Sequence, residues 1–407
     1  MKPIAIITAT PPGINPGMLA GEASARATLV RAGLLGDTTF YRLVTLDERL
    51  AAAGPTAAAT IAACDVGIRH VQLDDPAVLD RHVTLFWGDF LHMRRYITAL
   101  AGGDPPREAA YRGVLLLADR PDATCRSAVS YGTSLLFNST ADESAPEYAS
   151  ALERFLGAAA HVQMRDAVSA ARVSRWRSGS GEPCGVDPAQ LMAVPEIAAE
   201  MLGGPVPVAA GEESLVYFAR SRHRPDDVIA FVTELGAAVG VGCRWLPWGD
   251  RASFPFVERD LWPWPTAELP AAATGSAGVL PRLLAAVAAS RYVVTDTYHV
   301  AVSSWALGVP AIVVLGDYHE AERHAKQVDV RLRLDKRTQL LGQDGLLDYG
   351  ITPGLLEARD RRAVIVERLA PLLVEGRCGP AFRRTLAVRA AASAAALLAA
   401  IDEVRRR

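Results

Sequence analysis

The residues best suited to do chemistry lie between Arg291 and Pro310. Tyr292–Thr295 reads as a buried strand, Asp296-Thr297-Tyr298-His299 as a polar corner, and the residues up to Leu307 as a helix. Gly308-Val309-Pro310 then leads into a second apolar run, Ala311–Leu315. Such a corner joins the carboxyl end of a strand to the amino end of a helix, where free N–H groups and the helix dipole favour an anion. His299 falls in the first helical turn, where an imidazole can transfer a proton near neutral pH. A plainer reading stands beside it: Asp296 caps the helix and His299 is a hydrogen-bonded polar residue.

Other groups suit the same chemistry. Arg220-Ser221-Arg222-His223-Arg224 follows the strand candidate Leu215–Ala219. It is either a solvated basic loop or a place where Arg220 or Arg222 meets phosphate or carboxylate. Arg165-Asp166 precedes a helix over Ala167–Trp176, as an internal ion pair or with Asp166 capping and Arg165 turned to a cleft. Asp89 follows the strand Val83–Trp87 and is the carboxylate placed to orient or deprotonate an acceptor. Asn15 and Gly17 lie in the turn after Ile4–Thr8, and an Asn amide offers one acceptor and two donors to sugar-like hydroxyls. That turn lacks the GxGxxG spacing, so no dinucleotide cofactor is expected. His319, Glu320, Glu322 and His324 cluster without the HExxH order, and no metal is expected.

Short β-branched runs alternating with helical patterns must position these groups. Strands are expected at Ile4–Thr8, Phe40–Val44, Val83–Trp87, Val114–Ala118 and Ser130–Phe137, with a helix near Leu19–Ala32. The pattern restarts with Leu215–Ala219, a helix over Pro225–Ala237, and strands at Gly242–Leu246, Tyr292–Asp296, Ala311–Leu315 and Val328–Leu334. The fold class is therefore α/β, as two Rossmann-like doubly wound domains facing a central cleft. The expected division is 1–180, a linker over 181–212, a second domain over 213–380, and a helix over 381–407. Trp245, Trp248, Trp262 and Trp264 lie in Pro-rich surroundings, where core packing is commoner than a ligand wall.

The ordered set of motifs resembles the polysaccharide pyruvyl transferase family. Val293-Val294-Thr295, His299 and Gly308-Val309-Pro310 match its strand, histidine and helix-closing signature. Arg165-Asp166-Ala167-Val168-Ser169 is similar to its Arg-Asp-x-x-Ser, and Gly13-Ile14-Asn15-Pro16-Gly17 to its Asn-x-Gly-Asp turn. Gly88-Asp89 falls at its Gly-rich strand end, and Lys326 where a lysine often follows the Gly-Val-Pro strand. The resemblance implies a glycosyltransferase-B-like fold and transfer from phosphoenolpyruvate to sugar hydroxyls. His299 would handle the proton. Arg165, Arg220, Arg222, Thr297, Tyr298 and Lys326 would meet the donor, while Asp89, Asn15 and Gly17 would meet the acceptor. Two departures stand out: Thr297 replaces the family's arginine and Met18 its aspartate. A threonine cannot replace a charged, bidentate guanidinium clamp.

The alternative is a glycosyltransferase of the same architecture using a nucleotide sugar, with Glu320 on the ribose and the corner helix on the diphosphate. A catalytically silent binding protein is the third reading. With 43 Lys+Arg against 45 Asp+Glu, the formal charge of −2 argues against a nucleic-acid partner. No run of about 18 uncharged apolar residues suggests a membrane span. Five scattered cysteines without a CxxC pair point to a reduced, cytoplasmic chain. The expected partners are a small-molecule donor and a hydroxylated acceptor, with a homodimer possible.

Overall fold

β1 (Ile4–Thr8) is buried along its whole length, as is β4 (Val83–Trp87). Continuous apolar runs of this kind are what a parallel sheet covered by helices on both faces requires. In the computed structural model the described residues are 1–8, 16–43, 68–88, 90–136, 138–177, 184–207, 211–218, 224–248, 259–270, 278–315, 328–329, 334–376 and 378–407.

Between β1 and β4 come β2 (Thr38–Arg42) and β3 (His70–Gln72); β5 (Ala128–Thr133) and β6 (His161–Met164) follow. These six strands form one parallel sheet in the order β3-β2-β1-β4-β5-β6. The second sheet takes β7 (Glu213–Tyr217), β8 (Gly242–Trp245), β9 (Val293–Thr295) and β10 (Ala311–Val314). A short antiparallel hairpin, β11 (Val328–Asp329) and β12 (Leu334–Asp335), precedes β13 (Gly350–Ile351). The order is β13-β10-β9-β7-β8, again parallel. The chain is thus α/β with two doubly wound, Rossmann-like sheets. Strand order reverses between β1 and β4 in the first and between β7 and β9 in the second. Ligands of open α/β sheets bind outside the carboxyl ends of strands at such reversals.

Helix α1 (Pro16–Arg31) precedes β2, and the longer helices that follow in the first half include α2 (Arg94–Ala101), α3 (Pro105–Leu115), α4 (Pro146–Ala158) and α5 (Ala167–Val173). After α6 (Pro195–Leu202), the second half carries α7 (Pro225–Val239), α8 (Val279–Ala289), α9 (Tyr298–Leu307), α10 (Lys336–Gln343) and α11 (Arg359–Glu375). The last helix, α12 (Cys378–Arg406), returns to the first sheet. Its Leu386, Leu397 and Ile401 are buried. Its Ser393 Oγ lies 2.8 Å from the Tyr131 hydroxyl and donates to Gln163 Oε1 at 3.1 Å. By length and composition alone α12 could also cross a membrane, although the sequence holds no uncharged run of that length.

Several elements depart from the sequence expectation. Val114–Ala118, expected as a strand, holds the end of α3 and a turn in which Leu117 takes a positive φ of 51°. Short apolar runs do not distinguish a buried helix end from a strand. The strand expected over Ser130–Phe137 ends at Thr133, just after Gly132 leaves the extended conformation at φ 64°. Of the strand expected over Val328–Leu334, the described residues 328–329 and 334 belong to the two strands of the hairpin rather than to the second sheet. Within the segment expected as linker, residues 184–207 carry a buried 3-10 turn, Pro188–Ala193, followed by α6. Asp187 starts this turn in a capping box: Oδ1 accepts from Ala189 N at 2.9 Å, and Gln190 Oε1 accepts from Asp187 N at 2.9 Å. The turn packs against α1, α9 and α12, between the two sheets.

Candidate functional site

Thr8 and Trp87 end β1 and β4 and pair in register across the reversal of the first sheet. Over them lies a cavity of about 340 Å³, counting its open mouth. It is lined by Gly17, Met18, Gly21 and Glu22 of α1 together with Arg165, Asp187, Pro188 and His299. The cavity therefore stands where the topology of the first sheet places a ligand, and the second sheet contributes to it through α9.

The α9 corner is assembled by backbone bonds. Thr297 is the N-cap, and its N–H donates to Thr295 Oγ1 at 3.0 Å. Buried Arg337 donates to the carbonyls of Asp296 at 2.7 Å and Val314 at 3.1 Å, tying the ends of β9 and β10 together. Gly308 ends the helix in the left-handed region at φ 84°, which a glycine enters without strain. His299 is half-buried, but its Nδ1 is sealed from solvent and has no hydrogen-bond partner among the described residues. Burial holds its pKa well below the ordinary imidazole value, and the nearby charges of Lys336 and Arg165 add to the effect. A neutral imidazole results, able to accept a proton.

Arg165 reaches the cavity from the end of β6. Its Nη1 donates to Asp187 Oδ2 at 3.2 Å, and its guanidinium stands 4.5 Å from the Phe90 ring centroid and 5.3 Å from that of Tyr298. The Tyr298 hydroxyl donates to the same Asp187 oxygen at 3.1 Å. Burial and the Asp187 charge raise the Tyr298 pKa well above its usual value, so it remains a donor. Lys336 Nζ lies 4.9 Å from the Tyr298 ring. Asp166 Oδ1 accepts from Ser169 N at 2.7 Å, capping α5 as one sequence reading held, while Arg165 pairs with Asp187 rather than with Asp166.

Of the residues singled out from sequence, His299, Arg165 and Gly17 meet at the cavity. Tyr298 and Thr297 do not line it. Tyr298 is committed to Asp187, and Thr297 Oγ1 donates to Asp296 Oδ1 at 3.0 Å. Asn15, Asp89, Arg220, Arg222, Glu320 and Lys326 lie outside the described residues, as does the His319–His324 cluster. Trp245, Trp262 and Trp264 are buried and stack with centroid separations of 6.1 and 5.8 Å, so they serve packing here.

Sequence reasoning missed Thr8, Glu22, Trp87 and Asp187. Glu22 is 6% exposed, accepts from Thr8 Oγ1 at 2.6 Å, and lies 3.3 Å from His70 Nε2. The signal was an acidic residue in the middle of a helix of small residues, Gly21-Glu22-Ala23-Ser24-Ala25. Thr8 and Trp87 could have been found as strand ends once the strand order was known.

No family model matches the chain, and no curated protein matches it. Among solved structures it is similar to LpCGTa in complex with UDP, at 14% identity over 99% of both chains, with a TM-score of 0.47. It is similar to Phytolacca americana UGT2 complexed with UDP-2-fluoro-glucose and pterostilbene, at 12% identity over 100% of this chain and 99% of the other, TM-score 0.45. The UDP-GlcNAc 2-epimerase of Methanocaldococcus jannaschii is similar at 10% identity over 94% of this chain and 99% of the other, TM-score 0.45.

Proposed function

We propose that this chain is a transferase that moves a sugar from a nucleotide-sugar donor to a hydroxyl of a small acceptor. The observation that carries the reading is the imidazole of His299 in the first turn of α9, its buried Nδ1 without a hydrogen-bond partner among the described residues, lining a cavity at the strand reversal of the first sheet. A helix start such as that of α9 suits a diphosphate. Arg165 adds a fixed positive charge, moderated by Asp187. His299 takes the proton of the acceptor hydroxyl as its oxygen bonds to the sugar carbon and the nucleoside diphosphate leaves with the electron pair of the broken bond. Among the described residues, no cluster of three or more His, Cys, Asp and Glu side chains is arranged to hold a metal ion.

Transfer from phosphoenolpyruvate is the second reading, favoured by Val293-Val294-Thr295, His299 and Gly308-Val309-Pro310 in order. Thr297 in the place of an arginine weighs against it, since its hydroxyl is turned to Asp296. A thermal-shift series decides between them. Stabilisation by UDP or another nucleoside diphosphate, and none by phosphoenolpyruvate, is the expected result. The reverse pattern would replace the first reading with the second, and silence to both would remove the two together.

A further inference from the structure

The wall that the first sheet and α1 present to the cavity has a one-sided hydrogen-bonding character. Thr8 has a single hydroxyl proton, and it is donated to Glu22 Oε1 at 2.6 Å. The Trp87 indole N–H donates to the Gly21 carbonyl at 2.8 Å. Glu22 is a carboxylate and offers only lone pairs. Its contacts with Thr8 and His70 both fall on Oε1, and no hydrogen bond falls on Oε2 among the described residues. The side chains of Thr8, Glu22 and Trp87 therefore offer a ligand acceptors and no donor. A second carboxylate or a phosphate at this wall would meet like charge and unpaired oxygens, and would bind there more weakly than a hydroxyl.

We infer that Glu22, hydrogen-bonded by Thr8 and lying beside His70, is the specificity-determining residue for the acceptor. It selects an uncharged, hydroxyl-bearing compound of the sugar class and rejects one carrying a carboxylate at that point. The inference rests on the proposed transfer to a hydroxyl and names the class of that hydroxyl's carrier. It also separates two regions of one cavity. The start of α9 and Arg165 favour negative charge, and the Thr8–Glu22 floor favours hydrogen-bond donors.

The test uses the full chain and a panel of methyl glycosides, each paired with its uronate, with binding read by calorimetry. The native chain is expected to bind at least one glycoside about tenfold or more tightly than its uronate, the scale of one hydrogen bond to a charged group. Glu22→Gln removes the charge and is expected to abolish that preference while UDP affinity stays within about twofold. Thr8→Val keeps a β-branched residue in β1 and is expected to weaken the same glycoside about tenfold. Melting curves of both variants establish that they fold. The inference is overturned if no glycoside is preferred over its uronate, or if the preference survives in Glu22→Gln. A native chain that ignores UDP but shows the Glu22-dependent preference would sink the donor reading alone.

Discussion

Gly17 and His299 touch so closely that no side chain fits between them. A Cβ built on Gly17 would stand 2.2 Å from both Cβ and Cγ of His299 and 2.7 Å from its Cδ2. Gly17 belongs to the first turn of α1 and His299 to the first turn of α9, so two helix starts from different sheets meet at one glycine. The contact fixes where the imidazole can sit relative to the first sheet.

Gly17→Ala is therefore expected to displace His299 and lower turnover by about tenfold or more, with a fall in melting temperature. Gly21→Ala, one turn further along α1, is the control. There the nearest atom, Pro188 Cβ, would be 3.9 Å from the added carbon, an ordinary contact. The alanine is expected to be tolerated or to stabilise by roughly 0.5–1 kcal/mol through helix propensity. Equal behaviour of the two variants would dismiss the close approach as a determinant.

The pH dependence of the rate follows from the environment of His299. Its pKa is held down first by burial and then by Lys336 and Arg165, so the neutral form persists well below pH 6.5. The acidic fall in kcat/KM assigned to this imidazole is expected well below the ordinary imidazole range. Removing a neighbouring cation lets the imidazole bind its proton more easily, so Lys336→Met is expected to move that fall to higher pH. A fall that stays in place, or moves to lower pH, would take the proton-transfer role away from His299.

Asp187 holds Arg165 and Tyr298 on one carboxylate oxygen, and all three are buried. Asp187→Ala breaks the buried ion pair with Arg165, a change that typically costs about 3–5 kcal/mol. Tyr298→Phe removes one hydrogen bond and is expected to cost about 1–2 kcal/mol. Denaturant unfolding of the two variants measures the difference, and a Tyr298→Phe loss as large as that of Asp187→Ala would contradict this ordering.

Stability is also expected to fall on acidification through a residue far from His299. His92 is fully buried beneath β5, with Nδ1 near the Leu115 carbonyl at 2.8 Å and Nε2 2.9 Å from Ser130 Oγ. Burial lowers its pKa to about 4, with the Leu115 carbonyl acting weakly in the other direction. The unfolded chain binds this proton more readily, so the contribution is fully present above about pH 6.5 and is lost as pH falls towards 4. The loss is on the order of 3 kcal/mol. His92→Gln is expected to flatten the unfolding free energy between pH 6.5 and 4, and an unchanged slope would exclude His92 as its source.

The strands nearest the cavity were legible because each is a short, uninterrupted apolar run. Ile4–Thr8 and Val83–Trp87 are buried end to end, as their composition requires. The α9 corner was legible too, since Gly308 and Pro310 mark its far end and His299 its first turn. Val114–Ala118 was misread because a helix end and a buried strand show the same short apolar run. Glu22 was passed over because its one local signal, an acidic residue among small ones in a helix, does not by itself say that the carboxylate is buried. The groups it meets, Thr8 and His70, lie in different strands well away from it in the chain.

By itself, then, the sequence determined the alternation of strands and helices, the two-sheet plan and the chemistry of single residues such as His299 and Arg165. Those follow from periodicity, turn residues and side-chain type, all of which act over a few positions. Only the tertiary structure decided which groups share a cavity. The strand order β3-β2-β1-β4-β5-β6 brings Thr8 beside Trp87, and Gly17 lets α1 approach α9 closely enough for His299 to face the first sheet. Strand order and helix approach arise from burial of distant faces against each other, a long-range choice that no local window contains.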